Sequence, residues 1–338
     1  MQKTALPIAA LASVLLTGTS LAAPAVVAST KPVHSLVSAV MGEIGTPALI
    51  VKGAASPHTY SLRPSDAAAL ESADIVFWTG HGMELFLADA LDTLSTNANV
   101  VELSKSPGVE LLPVREGGAF EAHAHAHAHD EDEDEHDHAS HEHDEDQHAH
   151  DDHEHDDHEH AGHDHAEDEG DMHFWLDPEN AKLMVTQIAT VLAEADPENA
   201  ATYGANADAE LVRLDELTEE LRQTLAPIEG KPFVVFHDAY QYFEARFGLD
   251  VAGTVTVSPE AMPGAARIDQ LRAKVAELGA TCVFAEPNFE PAIVRTIVEG
   301  TQAKAGTLDP EGSALAEGPD LYSELLRGLA NGLLECQG

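Results

Sequence analysis

The sequence predicts an α/β protein built from two parallel-sheet lobes joined by a helical spacer. Short apolar runs of strand length alternate with amphipathic helical stretches, which is the pattern of βαβ units. That alternation occurs twice along the chain. Between the two series runs a stretch whose leucines recur at spacings of three and four, marking one face of a single helix. With 338 residues, 43% of them hydrophobic, the chain can give each lobe a core of its own.

In chain order, the opening MQKTALPIAALASVLLTGTSLAAPAVVA reads as a secretory signal over residues 1–22. Lys3 supplies the basic region, Ala5 to Leu16 the apolar stretch, and Ser20-Leu21-Ala22 a small-residue cleavage site. The apolar run is too short and too interrupted for a membrane anchor. No cysteine stands directly after it, so cleavage is expected to release a soluble protein with no membrane insertion and no lipid.

The first lobe is expected over 23–197. AVVAST and PALIVKG are short strands. RPSDAAALESA opens a helix, DIVFWTG is a strand, MELFLADALDTL a second helix and NVVELS another strand. Residues 121–171 break the pattern, alternating His with Ala, Asp and Glu and offering almost nothing apolar to bury. Such a tract cannot offset its ordering entropy, so it is expected to be a disordered surface loop. After Pro178, ENAKLMVTQIATVLAEA is an amphipathic helix.

The spacer spans 198–228, with Leu211, Leu214, Leu217, Leu221 and Leu225 on one face and Pro227 and Gly230 to stop it. The second lobe follows over 229–338. FVVF is a strand, AYQYFEARFG a helix and DVAGTVTV a strand. ARIDQLRAKVAELGA is a helix feeding the buried strand TCVFAEPN.

Charge narrows the function. The formal net charge is −43, and residues 121–171 hold 23 of the 60 acidic residues with no Lys or Arg. Without them the chain stands near −20, still acidic. That excludes nucleic acid and anionic membrane surfaces as partners and favours cations. The only cysteines, Cys282 and Cys336, fit an oxidising compartment. Paired, they would close a loop worth roughly 4 kcal/mol on the chain-entropy model; two independent buried thiols are the alternative.

Sixteen of the 21 histidines lie in the acidic tract, leaving His34, His58, His81, His173 and His237. His58 follows a strand in a loop of small residues, and His237 ends the strand FVVF in the second lobe. Both are strand carboxyl ends, where open α/β sheets bind ligands. His173 sits where the acidic tract rejoins folded structure. Three neutral imidazoles converging on one cleft would form the core of a Zn²⁺ site. His34 is expected inside a helix, and His81, between glycines, in a turn; neither is expected to bind metal.

GAASPHTYSLRPSD, MHFWLDPENA, VFHDAYQYFEARFGL, SPEAMPGAARI, FAEPN and GTLDPEG occur in this order. Together they resemble the ZnuA family, the periplasmic zinc-binding components of bacterial ABC importers, over essentially the whole mature chain. The resemblance implies two α/β lobes joined by one long rigid helix, with metal in the interlobe cleft. It implies His58, His173 and His237 as metal ligands. Manganese-importing relatives place a carboxylate where this chain has His237, so the imidazole points to zinc. Some relatives carry a glutamate before the first histidine; here that residue is Pro57. Asp309 matches an aspartate that completes the site in several relatives, with water as the alternative fourth ligand. Glu286 is expected to act structurally or behind a ligand. The resemblance also implies the Cys282–Cys336 bridge and a His-rich acidic loop as a feature of the zinc branch.

The leading expectation is therefore a monomeric periplasmic receptor that captures Zn²⁺ and hands it to an ABC membrane permease driven by a cytoplasmic ATPase. Its affinity should fall below about pH 6.5, because bound imidazoles must be deprotonated. A periplasmic metal buffer acting mainly through the His-rich loop is the alternative. A zinc hydrolase is disfavoured, since no H-E-x-x-H helix and no general base accompanies the ligands.

Overall fold

The two βαβ series fold into two four-stranded parallel sheets with the same strand order. The structure, a computed structural model, describes residues 23–115, 120, 170–256, 264–279, 282–287, 289 and 291–338. The expected signal over 1–22 and residues 121–169 of the histidine-rich tract lie outside the described residues.

The first sheet runs β2-β1-β3-β4 and comprises β1 (Val26–Ala28), β2 (Ala48–Leu49), β3 (Ile75–Trp78) and β4 (Asn99–Glu102). β2 is shorter than the apolar run PALIVKG, but the ladder continues past it. Ile50 N donates to Ala28 O at 3.0 Å and Val51 N to Ser29 O at 2.9 Å. Helices α1 (Lys31–Met41), α2 (Pro64–Glu71) and α3 (Leu85–Leu94) connect the strands. Pro64 opens α2, and Asp66 reaches back to accept from Arg63 N at 2.9 Å and from the Tyr60 hydroxyl at 2.8 Å.

The second sheet runs β6-β5-β7-β8: β5 (Pro232–Val235), β6 (Asp250–Thr254), β7 (Cys282–Ala285) and β8 (Lys304–Thr307). Its helices are α6 (Gln241–Phe247), α7 (Ala265–Leu278), α8 (Pro291–Val298) and α9 (Leu321–Gln337). The last βα unit, α8-β8-α9, carries no element singled out in the sequence. In both sheets the order reverses next to the first strand, so loops at the carboxyl ends of β1 and β3, and of β5 and β7, flank a crevice.

Side chains alternate between two layers on each sheet. Val26 and Ala28 join the central core while Val27 joins an outer cluster with Val76 and Trp78. Phe233 and Val235 likewise face the central core, and Val234 an outer cluster with Val283. Burial on both faces explains why these strands read as continuous apolar runs.

Between the two series in chain order come α4 (Pro178–Ala195) and α5 (Ala200–Leu225), packed on each other and on α1. Asp177 caps α4, accepting from Glu179 N at 2.9 Å, with Pro178 in the first turn. α5 buries Leu214, Leu217, Leu221 and Leu225, with Leu211 half-buried. The helix ends three residues before the expected limit: Ala226–Ile228 form a 3₁₀ turn at Pro227. The last helix, α9, packs back over α1 and α5. A disulfide joins Cys336 of α9 to Cys282 of β7, with sulfurs 2.04 Å apart.

Candidate metal centre

His58, His173 and His237 come from three different places in the chain and meet in one group. One potential ligand atom from each lies within 4.8 Å of the others. His58 comes from the loop after β2, held by Ser56, whose hydroxyl accepts from His58 N at 3.3 Å. His237 follows β5, its backbone turned by Ala239 N donating to His237 O at 2.9 Å. His173 precedes a 3₁₀ turn, Phe174–Leu176, whose three side chains are fully buried. That burial carries the chain out of the acidic tract and into the core.

Two rings are fixed by carboxylates. His173 Nδ1 lies 2.8 Å from Asp171 Oδ1, which also accepts from His173 N at 3.0 Å. His237 Nδ1 lies 2.7 Å from Glu286 Oε1. Each Nδ1 donates, so each Nε2 presents a lone pair. These two Nε2 atoms stand 3.3 Å apart. Two neutral rings with lone pairs at that distance need a cation between them, either a shared proton or a metal ion. Nitrogens bound tetrahedrally to one Zn²⁺ at about 2.0–2.1 Å would themselves be about 3.3–3.4 Å apart. In the third ring, His58 Nε2 is buried and has no hydrogen-bond partner among the described residues.

The electrostatics agree. Burial, then the neighbouring His173 and His237 rings, hold the His58 pKa well below its ordinary value, so its lone pair is free. Burial opposes charge on His237 too, but the Glu286 carboxylate, with Asp238 and Asp171, outweighs it and raises that pKa. The second half of the site therefore attracts positive charge.

Asp309, expected as a fourth ligand, lines the same crevice as His58, His237 and Glu286. It is not in the three-histidine group. Its Oδ1 accepts from Glu311 N at 3.2 Å, and its Oδ2 from the Ser313 hydroxyl at 2.8 Å. Pro57 also lines the crevice. His34 lies in α1 with Nε2 3.1 Å from Pro47 O, and His81 is exposed beside Trp78 and Glu102; neither joins the group.

One expectation needs correction. The tract was expected to stay unstructured through residue 171, but Gly170 and Asp171 are placed and Asp171 is buried. Asp171 N donates to Leu112 O at 2.7 Å, and the Tyr242 hydroxyl donates to Asp171 O at 2.7 Å. The aspartate that holds the His173 ring is hidden in a sequence full of aspartates. The only local cue is the change from His/Asp/Glu alternation to the apolar Met172.

The family described as zinc-uptake complex component A, periplasmic (ZnuA), matches residues 26–336. This chain belongs to the ZnuA family. The high-affinity zinc uptake system protein ZnuA of Brucella abortus is 55% identical over 316 residues, covering 92% of this chain and 91% of that one. The protein of the same name from Yersinia pestis is 38% identical over 330 residues, covering 97% and 96%. Among solved structures, the laminin-binding protein of Streptococcus agalactiae, described as a bifunctional protein with adhesin and metal transporting activity, superposes with a TM-score of 0.69. It is 25% identical, and the match covers 93% of this chain and all of that one. ZnuA-family membership accounts for the doubled sheet.

Proposed function

We propose that this chain is the periplasmic Zn²⁺ receptor of an ABC importer, with His58, His173 and His237 as its metal ligands. The observation that carries the reading is the 3.3 Å approach of two Nε2 atoms whose partner nitrogens are both held by carboxylates. Zn²⁺ is the cargo, and the site does no chemistry on it. Asp171 and Glu286 orient the rings and raise their basicity, the usual role of groups behind metal-bound histidines. Asp309 completes the wall of the crevice, and the fourth coordination position falls to it or to water. The lobes are residues 23–197 and 229–338, with 198–228 as the rigid spacer and 1–22 removed on export. The mature protein acts as a monomer and delivers zinc to a membrane permease coupled to a cytoplasmic ATPase.

The test is a Zn²⁺ titration against a strong chelating competitor. It uses the intact chain, a chain lacking residues 121–169, and His237→Ala. The expected result is one tight site that survives removal of the tract and collapses in His237→Ala. Loss of tight binding on removing the tract would instead make the protein a metal buffer.

A further inference from the structure

Lys31 stands where a lysine is unfavourable. It is the first residue of α1, facing the positive end of that helix dipole, and only 6% of its surface is exposed. Burial lowers its pKa, against the pull of Glu317, Asp309 and Glu311. Its ammonium donates to three backbone carbonyls: Ser313 at 2.7 Å, Leu315 at 3.1 Å and Gly312 at 3.2 Å. All three belong to the turn after β8, some 280 residues away in the other half of the molecule.

That turn carries Asp309. Ser313 is engaged at both ends, its carbonyl by Lys31 and its hydroxyl by Asp309 Oδ2 at 2.8 Å. Gly312 sits at a φ of 64°, and a Cβ there would meet Leu315, Leu321 and Leu325 at 3.2–3.3 Å. The Trp175 indole also donates to Pro310 O at 3.1 Å. The turn is thus gripped from the first half, and its carboxylate is turned inward on itself at the edge of the crevice.

We propose that Lys31 is a positioning residue for metal selectivity: by fixing the 309–315 turn it keeps the Asp309 carboxylate back from the three imidazoles and so leaves the fourth position to water rather than to Asp309. The inference rests on the triad being the zinc site. Imidazole donors suit Zn²⁺, and a carboxylate oxygen drawn into the site would favour the harder Mn²⁺. Loosening the turn should therefore change which ion is preferred, and should do so through Asp309 alone.

The experiment measures Zn²⁺ and Mn²⁺ affinities of the full chain by competition titration. It compares the natural sequence with Lys31→Met, Asp309→Asn and the double variant. Lys31→Met is expected to tighten Mn²⁺ binding about tenfold while Zn²⁺ affinity moves by less than about threefold, and the change should vanish when Asp309 is also replaced. Lys31→Arg, which keeps a charged donor, should restore the natural ratio. Equal weakening of both ions, an unchanged ratio, or the same shift in the Asp309→Asn background would overturn the proposal. Should Lys31→Met fail to fold, Ser313→Ala removes the hydroxyl on Asp309 Oδ2 without exposing a buried charge. It must shift the ratio in the same direction, and an unmoved ratio there overturns the proposal as well. If His237→Ala left zinc binding intact, the receptor reading itself would fall, a different failure from any of these.

Discussion

His237 stands at the end of an interior strand, buried, with Glu286 on the far nitrogen of its ring. His58 stands in a loop beyond an edge strand, half-buried, with no partner on its Nε2 among the described residues. The difference lies in how each ring is held, since His173, from the first half like His58, has a carboxylate on its ring as His237 does. On the proposed reading, His237 and His173 form a preset pair, one from each half, and His58 would close the site around the ion. His237→Ala should weaken Zn²⁺ binding by well over a hundredfold, beyond what loss of a supporting group costs. His58→Ala should cost distinctly less. Equal losses in chelator competition would break the comparison.

The same contrast extends to buried carboxylates. Glu286 faces an imidazole, whereas Glu84, fully buried in the first half, accepts from Thr79 N at 2.8 Å and Gly80 N at 3.3 Å, both neutral donors. Burial, only partly offset by these bonds, pushes Glu84 up to about 7 from 4.5. The folded chain then holds a proton that the unfolded chain has released. The stability this group contributes is whole below about pH 4.5 and is lost as pH rises through about 7, a change of roughly 3 kcal/mol. Urea unfolding of metal-free protein between pH 5 and 8 should show that Glu84→Gln removes this downward component. An identical pH slope in both proteins would show that Glu84 is ionised when folded.

Substitutions behind the ligands come next in size. Asp171→Asn and Glu286→Gln keep the shape of each contact but remove the charge that fixes the Nδ1 proton. Each should cost about ten- to a hundredfold in Zn²⁺ affinity. The same change made near His58 has no counterpart, because among the described residues no carboxylate is bonded to its ring. If either variant bound zinc as tightly as the natural chain, the distinction between a preset pair and a closing ligand would lose its basis.

Much of this arrangement was legible from residue order, for identifiable reasons. Strand burial on both faces gives apolar runs, and α5 gives a long leucine stripe, so both lobes and the spacer could be read. His58 and His237 betray themselves by following strands. Asp171 does not, because its role depends on a fold-back against Leu112 and Tyr242 that no local pattern encodes. The α8-β8-α9 unit was missed because β8 is a largely exposed edge strand, Lys-Ala-Gly-Thr, with little apolar signal. The inward turn of Asp309 depends on Lys31, nearly the whole chain away.

The smallest effect tests how far the preset pair is supported. Tyr242 belongs to α6 of the second half, and its hydroxyl bridges two backbone segments of the first. It accepts from Leu112 N at 2.7 Å and donates to Asp171 O at 2.7 Å. Asp171 in turn holds both the amide and the ring of His173. Tyr242→Phe removes the bridge and leaves the ring packing in place, so the loss is one or two hydrogen bonds at about 0.5–1.5 kcal/mol each. Only part of that reaches the metal, and Zn²⁺ affinity should fall by about three- to tenfold. The Co²⁺-substituted protein supplies the second readout. A displaced His173 would alter its visible absorption, whereas simple loss of stability would lower the melting temperature and leave that spectrum unchanged. The second outcome would confine the support of His173 to Asp171 and leave α6 out of the site.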